Sequence, residues 1–118
     1  MIRKADEMAL EIRDRMRGGD GQAEIVHLFK PGELAGKVRL TARLTLEAGC
    51  SIGLHEHMHE EEIFYIISGE GIIRESGGDP GKRVKSGDAA LAASGGCHSI
   101  ANAGGEPLVL LAVILLTE

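Results

Sequence analysis

The chain contains no tryptophan, two phenylalanines and one tyrosine in 118 residues, so its core must rest on Leu, Ile, Val, Ala and Met. Only two cysteines are present, Cys50 and Cys97. Two are too few for a disulfide framework, and they read as reduced thiols. No basic tract occurs and the net charge is −5. Neutralising phosphates requires a cationic footprint, so a nucleic-acid partner is not expected. The longest apolar run, Leu108 to Leu116, falls far short of the roughly 20 residues of a helical membrane span. The N-terminus, Met1-Ile2-Arg3-Lys4-Ala5-Asp6-Glu7, becomes charged at once and lacks an apolar signal region. No membrane association and a cytoplasmic location are therefore expected.

Hydrophobic residues make up 43 % of the chain, enough to fill one core, and glycine is abundant with 17 copies. Glycine in that quantity suits many short strands joined by tight turns. Near the N-terminus, Met8, Ile12 and Met16 recur every fourth residue, with Arg13, Asp14 and Arg17 between them and Gly18-Gly19 behind. This spacing predicts a short amphipathic helix over 6–17. A strand is expected over 23–30.

From Lys37 the period changes to two. Val38, Leu40, Ala42, Leu44 and Leu46 alternate with Arg39, Thr41, Arg43, Thr45 and Glu47, which marks a half-buried strand. Further strand-like pieces follow at 51–57, 62–68, 71–75, 82–85, 88–93, 97–102 and 107–116, divided by turn clusters such as Ser76-Gly77-Gly78-Asp79-Pro80-Gly81. This pattern indicates an all-β sandwich or barrel. Residues 1–36 read as a helix and strand extension and 37–118 as the barrel, one structural domain in all.

The most informative segment is His55-Glu56-His57-Met58-His59-Glu60-Glu61-Glu62. On an extended strand His55 and His57 share a face, placing two imidazoles side by side as a metal site requires. Glu62 can join them only if Met58-His59-Glu60-Glu61 turns the chain, after which Glu62 opens a returning apolar strand. The plain alternative is a solvated hairpin tip.

Here the chain resembles the cupin superfamily. Its first motif is matched by Gly49, His55, His57, Glu62 and Gly69, with every spacing in range. Its second is matched by Gly87, Gly95, His98 and Asn102, with Ala93 in place of the usual proline. That replacement touches loop stiffness rather than metal binding. The resemblance implies two antiparallel sheets closed into a jelly-roll-like β-barrel. It also implies a metal held by His55, His57, Glu62 and His98. Three imidazoles and one carboxylate suit a single divalent Mn, Fe, Ni, Co or Zn ion, with two positions of an octahedral ion left open.

Among the neighbours, His59, Glu60 and Glu61 read as turn residues facing water, with Glu61 the one rival to Glu62. His27 reads as a strand-face histidine, Cys97 as a buried inert thiol, and Asn102 as a turn-fixing amide. Inward pointing of Glu62 carries Phe64 and Ile66 inward and Tyr65 outward. The interior is then apolar around the metal. Ala89, Ala90, Ala92 and Ala93 leave room for a ligand, and no Arg or Lys is evidently placed to bind a phosphate. Two functions are open: a metalloenzyme acting on a small organic molecule by dioxygenase, isomerase or lyase chemistry, or a non-catalytic metal-dependent binding or sensing module. Leu108–Leu116 is apolar on both faces of a strand, which leaves its outer face to the other sheet, the N-terminal helix or a partner subunit; the resemblance to small cupins implies a homodimer.

Overall fold

The computed structural model describes residues 1–118 as ten strands and three single 3-10 turns. The strands are β1 (Ala9–Asp14), β2 (Gln22–His27), β3 (Val38–Leu46), β4 (Ser51–Glu56), β5 (Glu60–Ser68), β6 (Glu70–Arg74), β7 (Lys82–Lys85), β8 (Ala89–Ala92), β9 (Cys97–Asn102) and β10 (Leu108–Leu116). They form a six-stranded sheet in the order β1-β2-β3-β10-β5-β8 and a four-stranded sheet in the order β4-β9-β6-β7. Every pairing is antiparallel. The expected all-β, jelly-roll-like barrel is therefore present, and no helix is long and apolar enough to cross a membrane.

Period-two alternation decides what the sheets enclose. Ile25, Leu44, Leu110 and Ile66 stand opposite one another across four adjacent strands, and all are buried. In the next row Ala42 and Ala112 are fully buried beside Phe64. Two small residues there leave room for the one large ring. From the smaller sheet, Ile52, Ile100 and Ile73 close the core. Each such side chain contributes about 1.5–3 kcal/mol by leaving water. Asn102 fixes a turn as expected: its amide donates to the carbonyls of Leu46 and Glu106, and its Oδ1 accepts from the Gly104 N–H. Phe64 and Ile66 point inward and Tyr65 outward, also as expected.

The expected helix over 6–17 is absent. A 3-10 turn at Ala5–Glu7 precedes β1, which pairs with β2 from Ala9↔His27 to Asp14↔Gln22. A second 3-10 turn occupies Met16–Gly18. Met8, Ile12 and Met16 share one parity with Leu10, so the four-residue spacing fits a strand as well as a helix. The adjacent β2 decides between them, because a ladder of backbone hydrogen bonds stabilises a short segment that is marginal as a lone helix. Leu10 and Ile12 then lie more than half exposed on the outer face of the larger sheet.

Two glycines seat the Met16–Gly18 turn against β4. A Cβ at Gly53 would lie 2.1 Å from the Arg17 carbonyl oxygen, and one at Gly19 would lie 2.2 Å from that of Ser51. Both are backbone contacts and cannot yield by a side-chain rotation. Gly53→Ala is expected to push the turn outward and destabilise the fold by about 2 kcal/mol. A lower urea midpoint at unchanged slope checks this, and a wild-type midpoint would contradict it.

Candidate metal centre

Side chains from both sheets meet between them. Glu62 comes from β5, His55 from β4, His98 from β9, and His57 from the first residue beyond β4. Their ligating atoms all lie within 4.8 Å of one another. Nε2 of His57 is 3.1 Å from Nε2 of His55, 2.9 Å from Nε2 of His98 and 2.9 Å from Oε1 of Glu62. Nε2 of His98 is 2.9 Å from the same Glu62 oxygen. His57, Glu62 and His98 are all at most 5 % exposed.

The chain bends twice to achieve this. In β4, Ile52 pairs with Ile100 but His55 pairs with His98, so one extra residue bulges between them and turns His55 inward. His57 is clipped to the Ala93–Gly96 loop: its N–H donates to the Gly96 carbonyl (3.0 Å), and its own carbonyl accepts from the Gly95 N–H (2.6 Å). The ring of Phe64 stacks on His98, with centroids 4.7 Å apart and planes 11° from parallel.

The proton positions follow from the outer partners. Nδ1 of His55 faces the Gly53 carbonyl oxygen at 2.7 Å, and Nδ1 of His57 faces Oε2 of Glu60 at 2.6 Å. Both oxygens accept, so Nδ1 of each ring carries a proton, which leaves Nε2 as the nitrogen free to turn a lone pair inward. Burial pushes the His55 imidazole below its usual range, which favours the neutral form. Two lone pairs and a buried carboxylate thus converge, an arrangement that is unfavourable unless a cation sits among them. For bonds of about 2.1 Å, octahedral neighbours are roughly 3.0 Å apart and tetrahedral ones roughly 3.4 Å. The four separations above match the octahedral value. The residues present fit a divalent ion.

Above the cluster lies a cavity of about 70 Å³ lined by Arg13, Arg17, Arg39, Glu11 and His27 over an apolar floor that includes Leu44 and Phe64. Three arginines therefore line the cavity, which corrects the expectation of an interior that is apolar around the metal. Arg17 has no carboxylate partner, whereas Arg13 pairs with Glu11 at 2.7 Å. His27 also meets Glu11, at 2.8 Å. A second cavity of about 390 Å³ opens at the seam between β7 and β8, where the sheets do not pair. The small residues Ala89, Ala90, Ala92 and Ala93 leave room there, but it reaches the cluster only through His98.

Glu60 departs from expectation. It is not a solvated turn residue: its carboxylate accepts from His57 and from Arg39, at 2.9 Å (Nε) and 2.8 Å (Nη2). Hydrogen bonding from Arg39 is the main cause holding its pKa down to about 2. Arg39 reaches inward because β3 carries a bulge: Ile114 pairs with Leu40 and Leu115 with Val38, leaving Arg39 between. His59 does sit in the turn, exposed and with φ of 60°. Cys97 is half-buried rather than buried, and both cysteines are free.

The fold and this cluster define the class. Residues 42–114 match the cupin domain family, and the chain belongs to it. It is 42 % identical over 116 residues to the oxalate-binding protein of Thermotoga maritima, covering 98 % of this chain and 94 % of that one. It superposes on the crystal structure of a protein from the same organism described as a predicted oxalate decarboxylase, with a TM-score of 0.91, 41 % identity and coverage of 98 % and 99 %. The polyketide cyclase of Streptomyces resistomycificus shares the fold at a TM-score of 0.79 and 18 % identity, over 100 % of this chain and 81 % of that one.

Proposed function

We propose that His55, His57, Glu62 and His98 hold one divalent transition ion, and that the cavity above them binds a small dicarboxylate of the oxalate class. The observation that carries this reading is the arginine-lined wall beside the cluster of His55, His57 and Glu62. A cation at the base and arginines above it make the cavity a site for a small anion. Its size limits the guest to a few heavy atoms, since pockets for drug-sized ligands span roughly 300–1,000 Å³. The similarity to an oxalate-binding protein supports the same class. The bound ion supplies positive charge and open positions for carboxylate oxygens. Calorimetric titration of Mn- or Co-loaded protein with oxalate tests the proposal. Saturable one-to-one binding that vanishes on metal removal is expected, and its absence from fully loaded protein counts against the reading.

The cavity also favours a second reading, turnover. The His27–Glu11 pair is a titratable dyad in the cavity wall. Loss of carbon dioxide from oxalate requires a proton on the remaining carbon, and such a pair is suited to deliver one. Formate release from oxalate, removed by His27→Ala, distinguishes turnover from binding alone.

Glu62 is the only anion in the proposed ligand set. Glu62→Gln keeps size and an oxygen donor but removes the charge, and is expected to weaken metal binding at least about tenfold with the fold retained. Glu61 neighbours it in β5 and faces the opposite way, so Glu61→Gln should leave affinity unchanged. Parallel metal titrations decide; a larger effect from Glu61→Gln would reassign the ligand.

We also propose that the chain is a homodimer through the outer face of its larger sheet. Leu10, Val26, Arg43, Leu111 and Tyr65 lie in one row there across β1, β2, β3, β10 and β5, apolar but for the one arginine. A second copy is the partner that fits a largely apolar face of this kind. Light scattering should give about twice the 12.5 kDa of one chain. Leu111→Glu should halve it. A wild-type monomer at micromolar concentration would exclude the dimer.

A further inference from the structure

Glu60 and Arg39 play no part in the proposed ligand set, yet their contacts are among the most specific in the molecule. Glu60 Oε2 lies 2.6 Å from Nδ1 of His57 and 2.8 Å from Nη2 of Arg39, while Oε1 takes the Arg39 Nε–H at 2.9 Å. The Glu60 side chain is only 12 % exposed. It stands at the start of β5, and Arg39 stands on β3, with β10 between. The fork of two parallel bonds therefore crosses an entire strand, and the bulge in β3 is what lets Arg39 reach. Such bidentate pairing fixes a carboxylate in plane and direction.

We infer that Glu60, clamped by Arg39, is a positioning residue that holds the His57 ring with Nδ1 protonated and Nε2 free toward the metal. The inference rests on the metal reading above. His57 is the hub of the cluster, since its Nε2 lies within 3.1 Å of three other donor atoms. Rotation or a change of tautomer at this one ring would turn an N–H toward the ion and remove the central ligand. A carboxylate behind a ligating imidazole also raises the ring's electron donation to the metal. Arg39 extends the line to the cavity, because it is one of the residues that line it.

The test uses the full chain, metal-free for nuclear magnetic resonance and titrated with Co(II) for affinity. In the wild type, nitrogen–proton spectra should place the His57 proton on Nδ1. Glu60→Leu removes the acceptor, so a mixture of tautomers is expected in the metal-free protein, with metal affinity lower by about 10–100-fold. Glu60→Gln keeps an acceptor oxygen without the charge, so the tautomer should persist while affinity falls by less. Arg39→Met should weaken binding less than Glu60→Leu. Wild-type affinity and an unchanged His57 tautomer in Glu60→Leu would overturn the inference while leaving the metal reading intact. Failure of the wild type to take up metal would overturn both. If Glu60→Leu does not fold, Glu60→Gln decides alone: unchanged affinity rejects the inference and reduced affinity with a retained tautomer upholds it.

Discussion

Replacing His57 and His98 together by alanine is expected to lower bound metal from about one ion per chain to none. His57 and His98 account for all four of the short contacts that link the cluster. Without them His55 and Glu62 remain, and two ligands on opposite sheets do not retain an ion through dialysis. The thermal signature should change in step. At a metal concentration one hundred times Kd, the wild type gains about 2.7 kcal/mol from binding, and the double variant should gain nothing. Its fold should survive, because the rows built on Leu44, Leu110 and Ile66 do not involve the cluster. Elemental analysis with melting curves at several metal concentrations makes the measurement. An unchanged ion content would show that metal is held elsewhere.

Arg17→Gln is expected to weaken oxalate binding by about ten- to a hundredfold while leaving metal affinity as it was. Arg17 lines the cavity, carries no carboxylate partner, and lies close enough to His55 for its charge to be felt there. A charged hydrogen bond to a bound carboxylate is worth about 1.5–3 kcal/mol, which sets that range. Arg13 is the internal control. Its guanidinium is already engaged by Glu11, so Arg13→Gln should cost less. Added salt should erode the wild-type advantage, because the wall is open to solvent on one side. Titration of both variants with oxalate and then with metal alone separates the two affinities. Equal losses for the two arginines, or loss of metal affinity in Arg17→Gln, would remove Arg17 from the role of anion partner.

The barrel was legible because its strands carry strict alternation broken by glycine-rich turns. β3, β9 and β10 follow the expected spans within one residue, and Phe64, Tyr65 and Ile66 face as alternation predicts. The donor cluster was legible because its residue types and spacings match two motifs from 49 to 102. What escaped was whatever breaks the period. Arg39 reads as a solvent-facing residue in a regular strand, and only the skipped pairing at Leu40 and Val38 turns it toward Glu60 and the cavity wall. Glu60 reads as part of a turn, but its strand begins two residues earlier than the hydrophobic pattern does. Arg13 and Arg17 were hidden by the helix assigned to 6–17. That segment has two compatible periods, and its outcome depends on pairing with β2, which is information no local window contains.

The bulge in β3 has a further meaning for how this protein tolerates change. Most strands accept substitution far better than they accept a gain or loss of length, since one added residue inverts every facing beyond it. Here the irregular step is confined to a single position near the strand's start, and the pairing from Leu40 to Leu46 proceeds in regular register. Removing residue 39 would therefore smooth the ladder while deleting one cationic group from the cavity and unseating Glu60 from its fork. A one-codon deletion at this place would act as a chemical edit to the site, leaving the architecture around it standing.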